Sequence, residues 1–220
     1  MFTICYSFNG QSLKKRMIRD YGLKLYYFNN WPNFCDLLNE DIISSIKIDF
    51  EFASFQNADL CSLGSIFDKL ITNSNIGESD KKMQHECEIN KPIHIWGTGL
   101  MFDYDNLDQT GVRPFIIHAL RGEKTRKRLS DILGEDISCV LADPGILAPM
   151  LVEPCEKKYS VGIVPHGWDK EEEVFERMLE HYPNSTIIDV QNKPEQVLKE
   201  ISSCEHIIST SLYGLIVADS

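Results

Sequence analysis

The feature that most constrains the fold of this chain is the alternation of short apolar strands with amphipathic helices in its C-terminal part. Strands that alternate with helices of this length predict parallel strands covered by helices on both faces. We therefore predict an α/β fold with parallel sheets. Three strand-like runs each precede a helical pattern: 159–164 before 171–181, 186–190 before 194–204, and Ile207-Ile208 before the apolar run from Leu212.

The N-terminal part has the same rhythm with less regular spacing. A polar stretch with a proline, residues 152–158, has the composition of a domain linker. We predict one domain over residues 1–152 and a second, shorter domain over residues 153–220. In the first domain, strands are predicted at 23–28, 50–55, 92–96, 115–120 and 139–142, and helices after Asp36 and over 123–133.

The charge, hydropathy and cysteine content of the sequence limit the partners and the cellular location that it predicts. The net charge of −11 argues against nucleic acid as a partner. Any anionic ligand must therefore be held by a local basic site. No apolar run reaches bilayer length, so no transmembrane segment is predicted, which leaves peripheral membrane contact open. The seven cysteines are scattered and form no CxxC pair, and with no signal-like N-terminus they predict reduced thiols and a cytoplasmic location.

Candidate binding residues follow the predicted strands, because ligands of parallel sheets bind outside the carboxyl ends of the strands. Arg121 is the strongest candidate, since its planar guanidinium matches a carboxylate or a phosphate. A salt bridge with one of the chain's many acids is the alternative for Arg121. Four strand ends carry polar residues or glycines: Asn33 with Asp36, Gly97 with Gly99, Arg121 with Gly122, and His166 with Gly167.

Each of the other candidates also has a purely structural interpretation. Gly97-Thr98-Gly99 lacks the third glycine of a dinucleotide motif and fits a tight turn. Asp36 fits a helix N-terminus, and His166 fits an ordinary loop histidine as well as a catalytic one. Asp103, Asp105 and Asp108 alternate as in a calcium loop, but the required Gly and closing Glu are missing, so no metal site is predicted.

Taken together, these motifs resemble the polysaccharide pyruvyl transferase family. They come in the family's order and cover about residues 23 to 220. The segments that carry the resemblance are Asn33-Phe34-Cys35-Asp36-Leu37-Leu38-Asn39, Gly64-Ser65-Ile66, Ile95-Trp96-Gly97-Thr98-Gly99, Leu120-Arg121-Gly122-Glu123-Lys124-Thr125, Ala142-Asp143-Pro144-Gly145, Gly162-Ile163-Val164-Pro165-His166, and Ser209 to Asp219.

The resemblance implies two Rossmann-like halves of the GT-B type, the second of them truncated. It implies transfer of a pyruvyl group from phosphoenolpyruvate to a sugar of a cell-surface polysaccharide such as an exopolysaccharide, or of its lipid-linked precursor. Phosphoenolpyruvate is then the donor substrate, and no separate cofactor is expected. The partners are this donor and a sugar or lipid-linked saccharide acceptor.

This chemistry assigns roles to the candidate residues. His166 is expected to exchange a proton, because imidazole titrates near neutral pH. Arg121 is expected to anchor a carboxylate or phosphate, and Tyr213 to donate a hydrogen bond. Ser209 and Ser211, with the N–H groups of the last helix, are expected to form an anion-binding nest. Asn33, Asp36 and Gly97 complete the predicted substrate-binding set.

Three departures from the family pattern leave other functions open. Cys35 replaces a glycine at a predicted turn, Tyr213 replaces a histidine of the family's donor site, and the chain stops at Ser220, where the family continues through Gly-Ile-Pro. The chain is therefore expected to be a fragment, the product of an interrupted gene or a naturally short relative. The alternatives are a sugar-nucleotide glycosyltransferase and a non-catalytic relative that binds a sugar or a partner protein.

Overall fold

The computed structural model of the chain describes residues 22–68, 91–102 and 113–220, which form two compact units. Unit 1 contains the described residues up to Tyr27 and those from Ile46 to Asp143. Unit 2 contains Phe28–Ser45 and Pro144–Ser220. Residues 28–45 therefore belong to the C-terminal unit, although they lie early in the sequence. The two units divide between Asp143 and Pro144, at the start of the 3-10 helix Pro144–Leu151. The sequence predicted the boundary just after this helix, between residues 152 and 153.

Unit 1 is built on a six-stranded parallel sheet with the order β2-β1-β3-β4-β5-β6. The order of the first five strands is one of the two common orders of doubly wound sheets. Helix α2 (Glu123–Leu133) follows β5 and ends at Gly134, whose φ of 69° is the left-handed conformation that glycine favours. The strands are β1 (Leu23–Tyr26), β2 (Phe50–Phe52), β3 (Leu60–Cys61), β4 (Ile93–Trp96), β5 (Phe115–Leu120) and β6 (Val140–Leu141).

The interior of unit 1 is apolar and lies on the inner strands of the sheet, whereas the edge strands β2 and β6 are largely exposed. Leu25, Ile93, Ile95 and Leu120 have no exposed surface, which is typical of parallel strands covered on both faces. The predicted strand 115–120 and helix 123–133 are confirmed with their predicted bounds. The two-residue strand β3 was not predicted, and the α/β class with parallel sheets is confirmed.

A pair of histidines links two central strands of unit 1. His94 on β4 and His118 on β5 stack with ring centroids 5.0 Å apart and planes 10° apart. Nδ1 of His94 lies 2.7 Å from Nε2 of His118, so one nitrogen donates a proton and the other accepts it. Burial lowers the pKa of both imidazoles, and their mutual repulsion when charged lowers the pKa of His118 further.

This pair predicts a loss of stability in acid. Because both pKa values are lower in the folded state than in the unfolded state, the unfolded chain takes up protons first as the pH falls. We expect the contribution of this pair to the free energy of unfolding to decrease between about pH 7 and about pH 5. The decrease is expected to be smaller in His118→Asn, and the measurement is denaturant unfolding over this pH range. The control is the exposed His181→Asn, and equal pH dependence in the two variants would contradict the prediction.

Unit 2 contains a three-stranded parallel sheet with the order β8-β7-β9. Helix α1 carries its buried apolar residues at helical spacing, and it packs against the 3-10 helix and α4. The predicted strand at 186–190 is shorter than expected, and the strand predicted at Ile207-Ile208 begins three residues earlier, at Cys204. The strand predicted at 159–164 has its predicted bounds, and the helices predicted at 171–181 and 194–204 lie within two residues of theirs. The elements are α1 (Phe34–Ser45), β7 (Tyr159–Val164), α3 (Glu173–His181), β8 (Ser185–Ile187), α4 (Pro194–Ser202), β9 (Cys204–Ser209) and α5 (Leu212–Ala218).

Glycine allows the close approach of neighbouring elements in unit 2. A Cβ atom at Gly162 on β7 would lie 2.7 Å from both Cys204 Sγ and Ile207 Cδ1 on β9. A Cβ atom at Gly214 on α5 would overlap the Ser209 hydroxyl. Helix α5 therefore lies directly against the end of β9. Among the described residues, no helix combines the length and apolarity needed to cross a bilayer.

Candidate functional site

In unit 1, the loops that follow β3, β4 and β5 are joined by hydrogen bonds. Thr98 Oγ1 donates to Gly64 O over 2.6 Å, and the Gly99 N–H donates to the same oxygen over 3.1 Å. The Arg121 N–H donates to Thr98 O over 3.2 Å. Gly64 and Gly97 have φ values of 108° and 88°, which only glycine adopts readily. Three of the family-like segments thus meet at one edge of the sheet.

Arg121 is held in a defined position within this loop cluster. Its Nη1 donates to Ser65 Oγ over 2.8 Å, and its Nη2 donates to Leu100 O over 3.1 Å. The guanidinium packs on Gly99, where a Cβ atom would lie 2.6 Å from Arg121 Cζ. A guanidinium has five N–H donors, so an arginine fixed by two of them retains donors for a planar anion.

Arg121 and Gly97, both predicted as binding residues, lie in this same loop cluster. Arg121 makes side-chain hydrogen bonds there, whereas Gly97 makes a backbone hydrogen bond. The Gly97 N–H donates to Ala119 O over 2.9 Å and so completes a turn between strand ends. Ser65 and Thr98, which fix Arg121 and the loops, were not singled out as site residues from the sequence. On α2, Arg126 forms ion pairs with Glu123 and Asp136 at 2.6 and 2.9 Å.

In unit 2, the N-terminus of α1 contains a partly buried chain of hydrogen bonds. The Cys35 thiol donates to Asn33 Oδ1 over 2.8 Å, and Asn33 Nδ2 donates to Asp36 Oδ2 over 2.9 Å. The Phe34 N–H donates to Val190 O over 2.8 Å, which places this helix start beside the segment that follows β8. Asn33 and Asp36, which the sequence predicted as substrate-binding residues, are thus in direct contact.

Burial raises the pKa of both acidic groups in this hydrogen-bonded set, the Asp36 carboxyl and the Cys35 thiol. Burial raises the pKa of Asp36 to about 7, against a smaller lowering by the Asn33 hydrogen bond. Burial and the neighbouring Asp36 carboxylate raise the pKa of the Cys35 thiol, so it stays protonated. Asp36 can therefore gain or lose a proton near neutral pH, which is the range that general acid–base catalysis uses.

The expectation that Cys35 occupies a turn suited to glycine is wrong. Cys35 lies in the first turn of α1, and within the described ranges the non-glycine residues with positive φ are Lys47 and Asn184. No backbone strain therefore follows from cysteine at this position. Its side chain instead serves as a donor to Asn33.

His166 lies in the loop after β7, joined to the loop after β9. Its N–H donates to Thr210 Oγ1 over 2.8 Å, and that hydroxyl donates to Asp169 Oδ1 over 3.1 Å. The Trp168 N–H donates to His166 Nδ1 over 3.2 Å. The neutral imidazole therefore carries its proton on Nε2, which makes Nε2–H a donor.

The Ser209 hydroxyl, predicted to form part of an anion nest, has backbone partners at the end of β7 and in the loop after β9. Ser209 Oγ lies 2.7 Å from Val164 O and accepts the Ser211 N–H over 2.9 Å. Ser211 and Tyr213 are buried, with 3% and 4% of their surfaces exposed. These contacts attach α5 to the sheet, and the substrate-binding and catalytic roles of these residues stay predictions.

No group of three or more His, Cys, Asp or Glu side chains placed to hold a metal occurs within residues 22–68, 91–102 and 113–220. Asp103, Asp105 and Asp108, the segment with partial likeness to a calcium loop, lie outside the described residues.

Comparison with known proteins adds one relative. The chain is 33% identical over 137 residues to an uncharacterized protein, L143, of Acanthamoeba polyphaga mimivirus. The match covers 60% of this chain and 46% of the viral protein, so the chain spans less than half the length of this relative. No family model matches the sequence. No solved structure matches either.

Proposed function

We propose that the chain is a pyruvyl transferase that moves a pyruvyl group from phosphoenolpyruvate to a saccharide. The observation that carries this proposal is the fixed Arg121 guanidinium, held by Ser65 and Leu100 over Gly99. Three of the segments that resemble the polysaccharide pyruvyl transferase family meet there. The GT-B arrangement of two Rossmann-like halves is part of this proposal.

The reaction joins two hydroxyl groups of one sugar to the donor. A proton adds to the methylene carbon of phosphoenolpyruvate, and a sugar hydroxyl oxygen bonds to the adjacent carbon. The bond from that carbon to the phosphate oxygen breaks, and its electron pair leaves with phosphate. The second hydroxyl closes the ketal. Of the two hydroxyl protons released, one balances the proton on the methyl carbon and the other ends on phosphate.

Within unit 1, Arg121 serves the anionic donor. Phosphoenolpyruvate carries a carboxylate and a phosphate, and the guanidinium can bind either through two parallel hydrogen bonds. The chain's net charge of −11 repels anions in general, so a fixed local cation is needed to hold this donor.

Within unit 2, two groups suit proton handling. Asp36 has a pKa of about 7 because it is buried, so it can donate or accept a proton near neutral pH. His166 offers Nε2–H as a hydrogen-bond donor to an oxygen that gains negative charge, such as a phosphate oxygen. Tyr213 is buried on α5 and supports the helix that ends the unit.

Gly99→Ala tests the position of Arg121 without removing the arginine. A methyl group at position 99 collides with the guanidinium, and this flexible side chain must shift. We expect the Kd for phosphoenolpyruvate to rise by about tenfold to a hundredfold, since small misplacements of binding groups have effects of this size. Isothermal titration calorimetry measures the Kd.

Gly122→Ala is the matched control. No atom lies within 4 Å of a Cβ added at Gly122, and its φ of −176° is extended backbone that any residue adopts. The control is expected to bind phosphoenolpyruvate like the unchanged protein. Equal affinities in all three proteins, or no binding by any, would contradict the proposal.

A non-catalytic saccharide-binding relative is the second candidate, and the burial of Tyr213 favours it. The residue that replaces the family's histidine has 4% of its surface exposed, so it offers little surface to a donor substrate. In this case the protein binds sugars and does not bind phosphoenolpyruvate. A sugar-nucleotide glycosyltransferase is distinguished by thermal stabilisation with a nucleotide diphosphate sugar and none with phosphoenolpyruvate.

A further inference from the structure

Two tryptophans of unit 2 present large apolar rings to solvent. Trp31 is 45% exposed and Trp168 is 63% exposed. Their ring centroids lie 6.5 Å apart and their planes are 89° apart. The two rings therefore form a right-angled corner, here called the tryptophan corner. An exposed pair of aromatic rings of this kind marks a binding surface.

The tryptophan corner is supported from both sides. Phe28 contacts Trp31 edge to face, with ring centroids 5.6 Å apart. The His166 ring contacts Trp168 with centroids 4.9 Å apart, and the Trp168 N–H donates to His166 Nδ1. Rings that are already oriented lose little conformational entropy when a ligand binds.

Polar side chains follow Trp168 directly in the chain. Asp169 accepts the Thr210 hydroxyl over 3.1 Å. Lys170 Nζ donates to Gln191 Oε1 over 2.7 Å and lies 3.7 Å from Asp189 Oδ2. Aromatic faces together with amide, ammonium and carboxylate groups match a ligand that has both an apolar face and many hydroxyls.

The local charge selects among possible ligands. Asp169, Glu171, Glu172 and Glu173 outweigh Lys170 in this segment, so anions such as phosphates and nucleotides are repelled. Two carboxylates of this part of unit 2, Asp169 and Asp189, have partners in Thr210 and Lys170. The Thr210 hydroxyl leaves the charge of Asp169 in place, whereas the Lys170 ammonium beside Asp189 competes with an organic cation for that carboxylate. A neutral ligand fits best.

We propose that the tryptophan corner binds a neutral pyranose ring of a saccharide. One face of a pyranose is lined by C–H groups that pack on an indole, and its rim of hydroxyls bonds to polar neighbours. The second indole stands at a right angle and limits how the ring lies. This inference rests on the proposed pyruvyl transfer, because it names the acceptor and places the acceptor beside His166.

Saturation-transfer difference NMR tests the inference with the whole chain. The probes are the methyl glycosides of glucose, galactose, mannose and N-acetylglucosamine. We expect saturation transfer to the C–H protons of at least one probe, and an increase in its Kd of about fivefold to tenfold in Trp31→Ala and in Trp168→Ala. Phe102→Ala is the control, since Phe102 is an aromatic residue of unit 1 with 57% of its surface exposed.

Each outcome supports or contradicts sugar binding at the tryptophan corner. Absence of transfer to all four probes, or equal affinity in both tryptophan variants, overturns the inference. Preferred binding of choline or uridine diphosphate at the corner overturns it too. Both variants are expected to fold, because the replaced rings are exposed, and circular dichroism checks this.

Separate titration of phosphoenolpyruvate distinguishes the two proposals. If sugar binding depends on the tryptophans and phosphoenolpyruvate does not bind, the sugar site at the tryptophan corner is supported and the proposed pyruvyl transfer is contradicted. If phosphoenolpyruvate binds and no sugar binds, the donor site is supported and sugar binding at the tryptophan corner is contradicted.

Discussion

Arg121→Lys is expected to weaken phosphoenolpyruvate binding by roughly tenfold to a hundredfold. Lysine keeps the positive charge and lacks the planar fork that binds an oxyanion through two hydrogen bonds. A charged hydrogen bond of this kind contributes about 1.5–3 kcal/mol. Lysine also cannot maintain the pair of bonds to Ser65 and Leu100. Isothermal titration calorimetry measures the loss of affinity.

Lys124→Ala is the control for this substitution. Lys124 lies on α2 and is exposed, so its charge is screened by salt and contributes little to a bound anion. Thermal melts of both variants separate a loss of folding from a loss of binding. If Lys124→Ala loses affinity while Arg121→Lys keeps it, the donor site has been assigned to the wrong residue.

Asp36→Asn is expected to stabilise the protein at neutral and alkaline pH and to abolish turnover. The folded-state pKa is about 7 and the ordinary value is 3.8, so the folded state holds this proton more tightly than the unfolded state does. In the unchanged protein, the contribution of Asp36 to stability therefore falls as the pH rises from about 4 to about 7. The asparagine removes this cost. At pH values above the folded-state pKa, we expect the cost to be about 2–4 kcal/mol. It can still accept the hydrogen bond from Asn33.

Denaturant unfolding at several pH values measures this effect. The gain in Asp36→Asn is expected to vanish below about pH 3, where the carboxyl is protonated in both states. Asp131→Asn removes an exposed carboxylate on α2 and makes the same change in charge. A gain of equal size in both variants, or one that does not depend on pH, would show that the buried position of Asp36 is not its cause.

The sequence predicts individual elements of this fold better than their assembly. Strand β5 and helix α2 were predicted with their observed bounds, because a run of six residues with five apolar side chains, followed by an amphipathic repeat, leaves little ambiguity. Strand β3 has two residues and no period to detect. Helical spacing over residues 37–46 predicts α1 and carries no information on which sheet the helix packs against. The grouping of α1 with the C-terminal unit could therefore not be predicted.

The candidate sites show the same limit. Strand-end position predicts Arg121, whereas its support by Ser65 and its packing on Gly99 depend on loops that meet only in three dimensions. The raised pKa of Asp36 comes from burial, which a residue type common at helix starts does not reveal. Trp31 and Trp168 lie in distant parts of the sequence, and no spacing rule connects them.

The assignment of residues 28–45 to unit 2 affects how the chain folds during synthesis. Helix α1 leaves the ribosome before most of unit 1, and the 3-10 helix and α4, against which it packs, are made later. Until then, Phe34, Leu38 and Ile42 have no permanent partner to bury them. Such long-range closure slows folding and exposes apolar surface to aggregation. A C-terminal fragment that begins at Pro144 lacks this helix, so it is expected to require residues 28–45 in trans for native packing.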